Sequence, residues 1–274
     1  MHRREPRPAR ADRHRCAPVN VLLTRRLLPW STTVGLLVLW QLVCVVLRVD
    51  TFILPSPLEV SRSLVQNTGL IMVNALQTLM TTVAGFALGV AAGMALGLLL
   101  GTSRTVYDGL YPVMIGFNSI PKVAIVPVLV IWFGIGTVPA ILTAFVTAAF
   151  PIVVNVATGL ATIEPEWQDV LRVLGARKWQ ILMKIGIPRA LPYFFASLKV
   201  AITLAFVGSV VAETVAANAG IGFLMMTASG RFDVPLVFAG LVVVGAMGIL
   251  MYEVFARLER RLTFWAIRSG DLIT

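Results

Sequence analysis

Three side chains that could act on a solute, Asn118, Lys122 and Glu213, lie within long apolar stretches of the 274-residue chain. Ionisable groups inside a membrane are costly, and they usually face a cavity or a partner group. Lys122 could therefore lie near a solute pathway and favour an anionic solute. Alternatively, it pairs with Glu213 or with a backbone carbonyl and only holds helices together. Asn118 could donate a hydrogen bond to a solute, although contacts between helices are the commoner use of such a side chain.

Few residues in these apolar stretches are of the types that catalyse reactions in enzymes. Both histidines, His2 and His14, are in the N-terminal tail, and Cys16 and Cys44 are far apart in sequence. No Cys/His cluster has the spacing of metal ligands, and no GxxxxGK[ST] loop for a nucleotide phosphate occurs. The sequence thus argues against an intramembrane enzyme, predicts no metal site and no ATP bound by this chain, and leaves both cysteines as free thiols.

The composition is that of a membrane protein. Hydrophobic residues make up 58% of the chain and charged residues only 13%, whereas soluble domains carry about a quarter charged residues. The apolar runs are continuous, and several reach the roughly 20 residues that a helix needs to cross a bilayer. A β-barrel would need alternating segments of about ten residues. We predict an all-α, polytopic membrane protein that contacts lipid and no nucleic acid.

The apolar runs predict six transmembrane helices, at residues 29–48, 71–101, 109–133, 139–160, 192–216 and 235–256. A disordered basic tail is expected over 1–28, the first span and an outer segment over 29–70, the core over 71–256, and a second tail over 257–274. The basic head and first apolar run resemble a signal peptide, but the run is long and no small-x-small cleavage site follows, so we expect it to be retained. In the third span, Pro121 and Pro127 flank Lys122 and should loosen the helix.

Basic residues set the orientation of such a protein, because cytoplasmic segments carry an excess of Lys and Arg. The segments on the side of the N-terminus hold eight basic residues in 1–28, one in 102–108, five in 161–190 and four in 257–274. The opposite loops hold only Arg62 and Arg231. This excess explains the net charge of +10, and it predicts that both termini and the segment 161–190 are cytoplasmic.

Five glycines recur at every fourth residue of the second span: Gly85, Gly89, Gly93, Gly97 and Gly101. This spacing keeps them on one helix face, which another helix can approach closely. The face is either a sliding contact or ordinary small-residue packing, and in both cases the span belongs in a bundle.

The segment DVLRVLGARKWQILMKIGIP (169–188) is half apolar and half basic. An apolar face precedes Gly175 at helical spacing, and its residues are Trp167, Val170, Leu171 and Leu174. Gly175 allows a sharp turn, a second short helix around Trp179 follows, and Pro188 and Pro192 should end it. Two amphipathic helices joined in this way either lie flat among lipid headgroups or dock into a groove of a cytoplasmic partner.

The same segment resembles the cytoplasmic loop motif of the importer-type permeases of ABC transporters. That motif reads Glu-Ala-Ala, three residues, Gly, nine residues and Ile-x-Leu-Pro. By this resemblance the residues of the coupling loop are Asp169, Val170, Leu171, Gly175, Ala176, Ile185, Ile187 and Pro188. The segments SIPKVAIVPVLVIWFGIG (119–136), FPIVVNVATGL (150–160) and VVAETVAANAGIGFLM (210–225) are similar to the nitrate/sulfonate/taurine-type branch.

The resemblance implies a type I ABC importer permease fold in a bacterial inner membrane. It implies that loop 161–190 lies in a cleft of an ATPase, that two ATPase subunits carry ATP and Mg²⁺, and that a second copy of this chain completes the pathway. A periplasmic or lipoprotein solute-binding protein would deliver nitrate, a sulfonate, taurine or a pyrimidine-like compound. It also places Glu213 near an outer gate, and segment 217–235 is expected to be either a gate helix or a docking surface.

A second class of transporter is the alternative. An ion-coupled secondary transporter typically carries internal repeats and paired intramembrane acids. No clear repeat is present, and Glu213 and Glu253 are the plausible acids in the apolar runs.

Overall fold

The computed structural model describes residues 19–161, 171 and 173–263. These residues form helices joined by short connections. The first six are α1 (Val19–Val46), α2 (Pro57–Gln66), α3 (Thr68–Thr102), α4 (Arg104–Ser119), α5 (Lys122–Phe133) and α6 (Thr137–Ala161). After a short α7 (Lys178–Ile181) and a π-helical turn (Leu182–Gly186) come α8 (Ile187–Ala216), α9 (Ile221–Gly230) and α10 (Val234–Leu262).

The predicted all-α class is confirmed, and the six expected spans correspond to α1, α3, α4–α5, α6, α8 and α10. Four helical stretches of the described chain are long and apolar enough to cross a membrane: Thr68–Thr102, Thr137–Leu160, Trp179–Gly230 and Val234–Leu262. In α1 the apolar part, Ser31–Val46, is shorter than a span. Helix α1 also begins at Val19, within the 1–28 tail for which disorder is predicted.

The third expected span is not one helix, which corrects the prediction for 109–133. Helices α4 and α5 meet at a bend of 90°. Pro121 has no N–H to donate, and its ring pushes the preceding residue out of the helical region. Ile120 is accordingly extended, with ψ at 125°. Lys122 therefore stands at the first residue of α5 and not halfway along a span.

Pro188 and Pro192 do not end a helix, which is a second correction. The helical backbone runs from α7 through the π turn into α8, with Pro188 in the first turn of α8 and Pro192 inside it. The N–H of Ile187 reaches back to the carbonyl of Leu182, five residues earlier. This wider turn leaves room at the point where a proline ring would otherwise meet the preceding turn.

The row of glycines on α3 faces α6. A Cβ placed on Gly85, Gly89 or Gly93 would lie 2.5–2.9 Å from the Cβ of Ala144, Ala148 or Ile152, respectively. Gly97 and Gly101 continue the contact against Val156 and Leu160. The two helices therefore touch along the whole row, as the four-residue spacing predicts for a close helix pair.

Helix α8 completes the core on the other side of α6 and α3. Its buried residues Ala201, Ile202, Ala205 and Phe206 pack against the alanines of α6 and against Met251 of α10. A second apolar cluster lies under α9, where Ile221, Leu224 and Ala228 contact Val60, Ile71, Leu236 and Ala239. These two clusters pack α8 and α9 against their neighbouring helices.

Helix α2 begins with a capping box that the sequence Ser56-Pro57-Leu58-Glu59 supplies. The Ser56 N–H donates to Glu59 Oε2 over 2.7 Å, and the Thr51 hydroxyl donates to Glu59 Oε1 over 2.8 Å. The Ser56 N–H contributes most to stabilising the charged carboxylate, and the Thr51 hydroxyl contributes next. The pKa of Glu59 therefore lies below its usual range. The first turn of α2 is thus stabilised by side chains that are close to it in sequence.

Candidate functional site

Glu213 lies at the centre of a buried polar cluster between α3 and α8. Its side chain is only 1% exposed. The Thr78 hydroxyl donates to Oε2 over 2.7 Å, and the Thr81 hydroxyl lies 3.1 Å from Oε1. Ser209, one turn before Glu213, shares a 2.7 Å hydrogen bond with Thr81. A buried carboxylate is tolerable when hydrogen-bond donors surround it, and α3 supplies them here.

The same cluster caps the N-terminus of α9. The N–H of Gly220 donates to Asn74 Oδ1 over 2.8 Å, and that of Ile221 donates to Thr78 Oγ1 over 2.8 Å. The N–H of Gly222 donates to Glu213 Oε2 over 3.2 Å. A helix normally has its first N–H groups capped by its own preceding side chain. Here Gly220 has none, and residues from two other helices replace it.

A cavity of about 260 Å³ lies beside this cluster. It opens where α3, the α5–α6 turn, the end of α8 and the α8–α9 turn meet. Its polar lining is Gln77, Thr81, Thr137, Glu213 and Asn218. The N–H of Gly136 in the α5–α6 turn also donates to the carbonyl of Ala216 over 3.2 Å, which joins the two turns. The cavity is large enough for several water molecules.

Lys122 and Asn118 lie together at the corner between α4 and α5. The Lys122 ammonium donates to the backbone carbonyl of Asn118, to Asn118 Oδ1 over 3.1 Å and to the Ile120 carbonyl over 3.2 Å. No ion pair with Glu213 is present among the described residues, since Glu213 is bonded to α3 and α9. Of the uses that the sequence leaves open for Lys122, bonding to backbone carbonyls is the one observed.

Replacing Lys122 with methionine is expected to loosen this corner. The last carbonyls of α4 lose a charged donor, so the melting temperature of the purified protein should fall by about 2–4 °C, the shift for a loss of roughly 1 kcal/mol in a chain of this size. Lys122→Arg keeps a donor and should restore it. If Lys122→Met instead leaves the melting temperature unchanged and alters the preference between anionic and neutral solutes, the pathway role gains support.

Lys199 makes an ion pair that joins α8 to α10. Its ammonium lies 2.6 Å from Glu259 Oε2 of α10. Both side chains are partly exposed, so the pair joins the two helices without a fully buried charge.

The coupling corner, defined as residues 171 and 173–188, turns at Gly175. Gly175 has φ at +80°, a left-handed conformation, and the N–H of Ala176 donates to the Leu171 carbonyl over 2.9 Å. Val173, Leu174, Trp179 and Met183 present exposed apolar side chains, at 87%, 75%, 66% and 47%. Of the predicted loop residues, Asp169 and Val170 lie outside the described residues, and so does most of the first amphipathic helix.

The remaining predicted loop residues lead from the corner into α8. Ile185 is half-buried in the π turn, and Ile187 and Pro188 begin α8. A cavity of about 320 Å³ lies inside the corner, lined on its polar side by Gln180 and Lys184. The corner is therefore continuous with the helix that carries Glu213 at its other end.

Sequence reasoning found Glu213 but missed its partners. Asn74, Thr78 and Thr81 recur at spacings of four and three, which places them on one face of α3 within an otherwise apolar span. That polar stripe is the signal that could have indicated a buried cluster. The helix that it faces is not readable from the spacing.

Long apolar helices around a small-residue core, a helix corner at Gly175 and a buried polar cluster are the features of a polytopic membrane protein. The family model described as "Binding-protein-dependent transport system inner membrane component" matches residues 85–264. The chain belongs to this family, as the loop motif and the span signatures predict.

The relatives agree with this assignment. The chain is 36% identical to the riboflavin transport system permease protein RibX of Chloroflexus aurantiacus, over 85% of this chain and 88% of that protein. It is 30% identical to the formylaminopyrimidine transport permease protein ThiX of Halalkalibacterium halodurans, over 84% and 92%. An inward-facing structure of the MetNI methionine ABC transporter shares the fold, with a TM-score of 0.63 at 22% identity, over 72% of this chain and 97% of the other.

Proposed function

We propose that this permease imports a small polar or anionic solute across the inner membrane and that a separate ATPase drives it through the coupling corner. The observation that carries the proposal is the corner itself. It combines a left-handed glycine with exposed apolar side chains, and it continues without a break into α8. Such a ridge suits docking into a groove, and a continuous helix suits transmission of a displacement.

The assembly that follows has three kinds of partner. Two ATPase subunits bind ATP and Mg²⁺ and receive the coupling corners of two copies of this permease. The two copies enclose the pathway, and a periplasmic or lipoprotein binding protein delivers the solute to the outer side. Closure of the ATPases on ATP would move the corners and open the pair of permeases outward. The excess of Lys and Arg in the tails and in 161–190 supports cytoplasmic termini.

The solute belongs to the classes that the sequence branch suggests: nitrate, sulfonates, taurine and pyrimidine-like compounds. Two relatives are named for the transport of riboflavin and of formylaminopyrimidine. These names support a nitrogen heterocycle as the solute within this range. Thermal-shift measurements on the partner binding protein with nitrate, taurine, an alkanesulfonate, a pyrimidine and a flavin would identify the class. A stabilised binding protein with one class only is the expected result.

Replacing Gly175 with valine tests the ATPase coupling. A β-branched residue in the left-handed region is strained by about 1–2 kcal/mol, so the corner should open and the ATPase co-purified per permease should fall at least tenfold. Insertion into the membrane should be normal, because no atom of another residue lies within 4 Å of a Cβ at this position. Asparagine tolerates the left-handed conformation, so Gly175→Asn should retain the ATPase.

Two results would count against the proposal. Normal ATPase recovery and normal uptake with Gly175→Val would remove the coupling role of the corner. Uptake by this chain alone, insensitive to ATP depletion, would favour the ion-coupled transporter instead.

A further inference from the structure

We propose that α9 is a hinged segment fastened by a polar latch, and that release of the latch is a step of the transport cycle. The latch consists of Asn74, Thr78 and Thr81 on α3 and Ser209 and Glu213 on α8. The proposal rests on the import function proposed above, and it adds the residues that control the movement of α9.

Helix α9 is bounded at each end by a residue in a rarely populated backbone conformation. Gly220, which precedes it, has φ at +114° and ψ at 162°, a region that essentially only glycine adopts. Phe232, which follows it, has φ at +60° and is 70% exposed. Left-handed conformations of bulky residues are uncommon and occur where a segment switches direction or is held by its surroundings. The ten-residue helix between these two points is a unit that can move as one body.

The side-chain hydrogen bonds that join α9 to other helices are at its N-terminal end. Three consecutive N–H groups, of Gly220, Ile221 and Gly222, donate to Asn74, Thr78 and Glu213. Asn74 and Thr78 are on α3 and Glu213 is on α8, so a movement of α9 away from both helices breaks these directional bonds together. The Thr78 hydroxyl is central, since it accepts from Ile221 and donates to Glu213.

Beyond its first turn, where Gly222 also lies close to the α8 backbone at Val210, the contacts of α9 are mainly apolar and permit movement more readily. Ile221, Leu224 and Ala228 pack on the apolar cluster formed with Val60 and Leu236. Such contacts are non-directional, so α9 can shift over them without leaving a polar group unpaired. The latch therefore decides whether α9 stays in place.

The cavity beside the latch makes its release feasible. Glu213 and Thr81 both line this space of about 260 Å³. Water entering it can replace the hydrogen bonds that α9 gives up, so opening does not strand a buried carboxylate. The latch thus has two supported states, one bonded to α9 and one hydrated.

Thiol accessibility on the buried face of α9 tests the proposal. Ala228, 2% exposed, is replaced by cysteine in a Cys16→Ser, Cys44→Ala background of the assembled transporter. The initial rate of labelling by a membrane-impermeant maleimide is then measured. Thr78→Val should raise this rate at least tenfold, and Thr78→Ser, which keeps the hydroxyl, should return it to the parent value. Glu213→Gln, which removes one acceptor oxygen, should raise it in the same direction.

Thr82→Val is the matched control. Thr82 lies one turn further along α3 and is fully buried, and its hydroxyl has no hydrogen-bond partner within the described structure. Equal labelling rates in Thr78→Val and Thr82→Val would overturn the latch. If the labelling rate of the parent does not change when ATP is added, release of the latch is not a step of the transport cycle. If the parent shows no ATP-driven uptake but Thr78→Val still labels faster than Thr82→Val, the import function is refuted and the latch is supported.

Discussion

Alanine in place of Gly85 should prevent stable association of α3 with α6. Its Cβ would lie 2.5 Å from the Ile141 carbonyl oxygen, 2.9 Å from the Phe145 nitrogen and 2.5 Å from the Ala144 Cβ. Two of these atoms are backbone and cannot rotate away, so the helices must separate along the glycine row. Overpacking of this kind costs about 1–3 kcal/mol or more. The folded fraction after size-exclusion chromatography and the melting temperature should both fall sharply.

The position one turn away gives a test of the mechanism. A Cβ on Gly89 would meet the Ala148 Cβ at 2.9 Å, while its next contacts, Ala149 nitrogen and the Phe145 oxygen, are at 3.4 Å. Gly89→Ala should therefore be rescued by Ala148→Gly, and the helix propensities of the exchanged residues cancel in the double variant. Gly85→Ala should not be rescued by Ala144→Gly.

The double variants are compared as thermodynamic cycles, with Gly69→Ala as the control on the same helix. Nothing lies within 4 Å of a Cβ on Gly69, so that variant should unfold like the parent. Strong coupling at the 89–148 pair and weak coupling at 85–144 are expected. A stable Gly85→Ala protein with wild-type uptake would show that the row is not a close contact.

Replacing Gly220 with alanine is expected to abolish transport by displacing α9. The backbone at φ +114° and ψ 162° excludes a side chain. A Cβ there would also lie 2.3 Å from the Glu213 carboxyl carbon. Both effects drive the first turn of α9 away from Asn74 and Thr78, which leaves the carboxylate without its Gly222 donor. A buried group that loses a partner costs about 1–3 kcal/mol, and the backbone strain adds to it.

Gly230 at the other end of α9 is the matched control. A Cβ there meets no atom within 4 Å, and its φ is ordinary, so Gly230→Ala should keep uptake and melting temperature. Solute uptake into vesicles and protein melting are measured for both variants. Gly220→Ala protein with normal uptake would mean that the α8–α9 turn is adjustable, contrary to the geometry described above.

Much of this architecture is readable from the sequence because it depends on one helix at a time. Apolar length predicts a spanning segment, the four-residue glycine spacing predicts a face that allows close approach, and Gly175 within an amphipathic stretch predicts a corner. Each of these features is set by the periodicity of a single helix and by the conformations that its residues can adopt. The loop motif and the span signatures, which are also local in sequence, together predict the family.

Features that depend on contacts between two helices, or on whether a proline bends a helix or is accommodated in it, could be established only from the tertiary structure. Pro121 and Pro192 both lie in apolar helical stretches, yet the chain turns by 90° after Ile120 and passes straight through Pro192. The residue before Pro121 is extended, whereas the residues before Pro192 remain helical. A proline alone does not specify which of the two occurs.

The sequence by itself determined the class, the long apolar helices α3, α6, α8 and α10, the close-contact face of α3 and the position of the corner. Only the tertiary structure decided that Glu213 bonds to Thr78 and Thr81, which are 135 and 132 residues away, and that Lys122 bonds to its own corner. It also decided that Gly85 meets backbone while Gly89 meets mainly a side chain. The physical reason is that hydrogen bonds and steric contacts act over a few ångströms, and the residues brought within that range depend on how whole helices pack together.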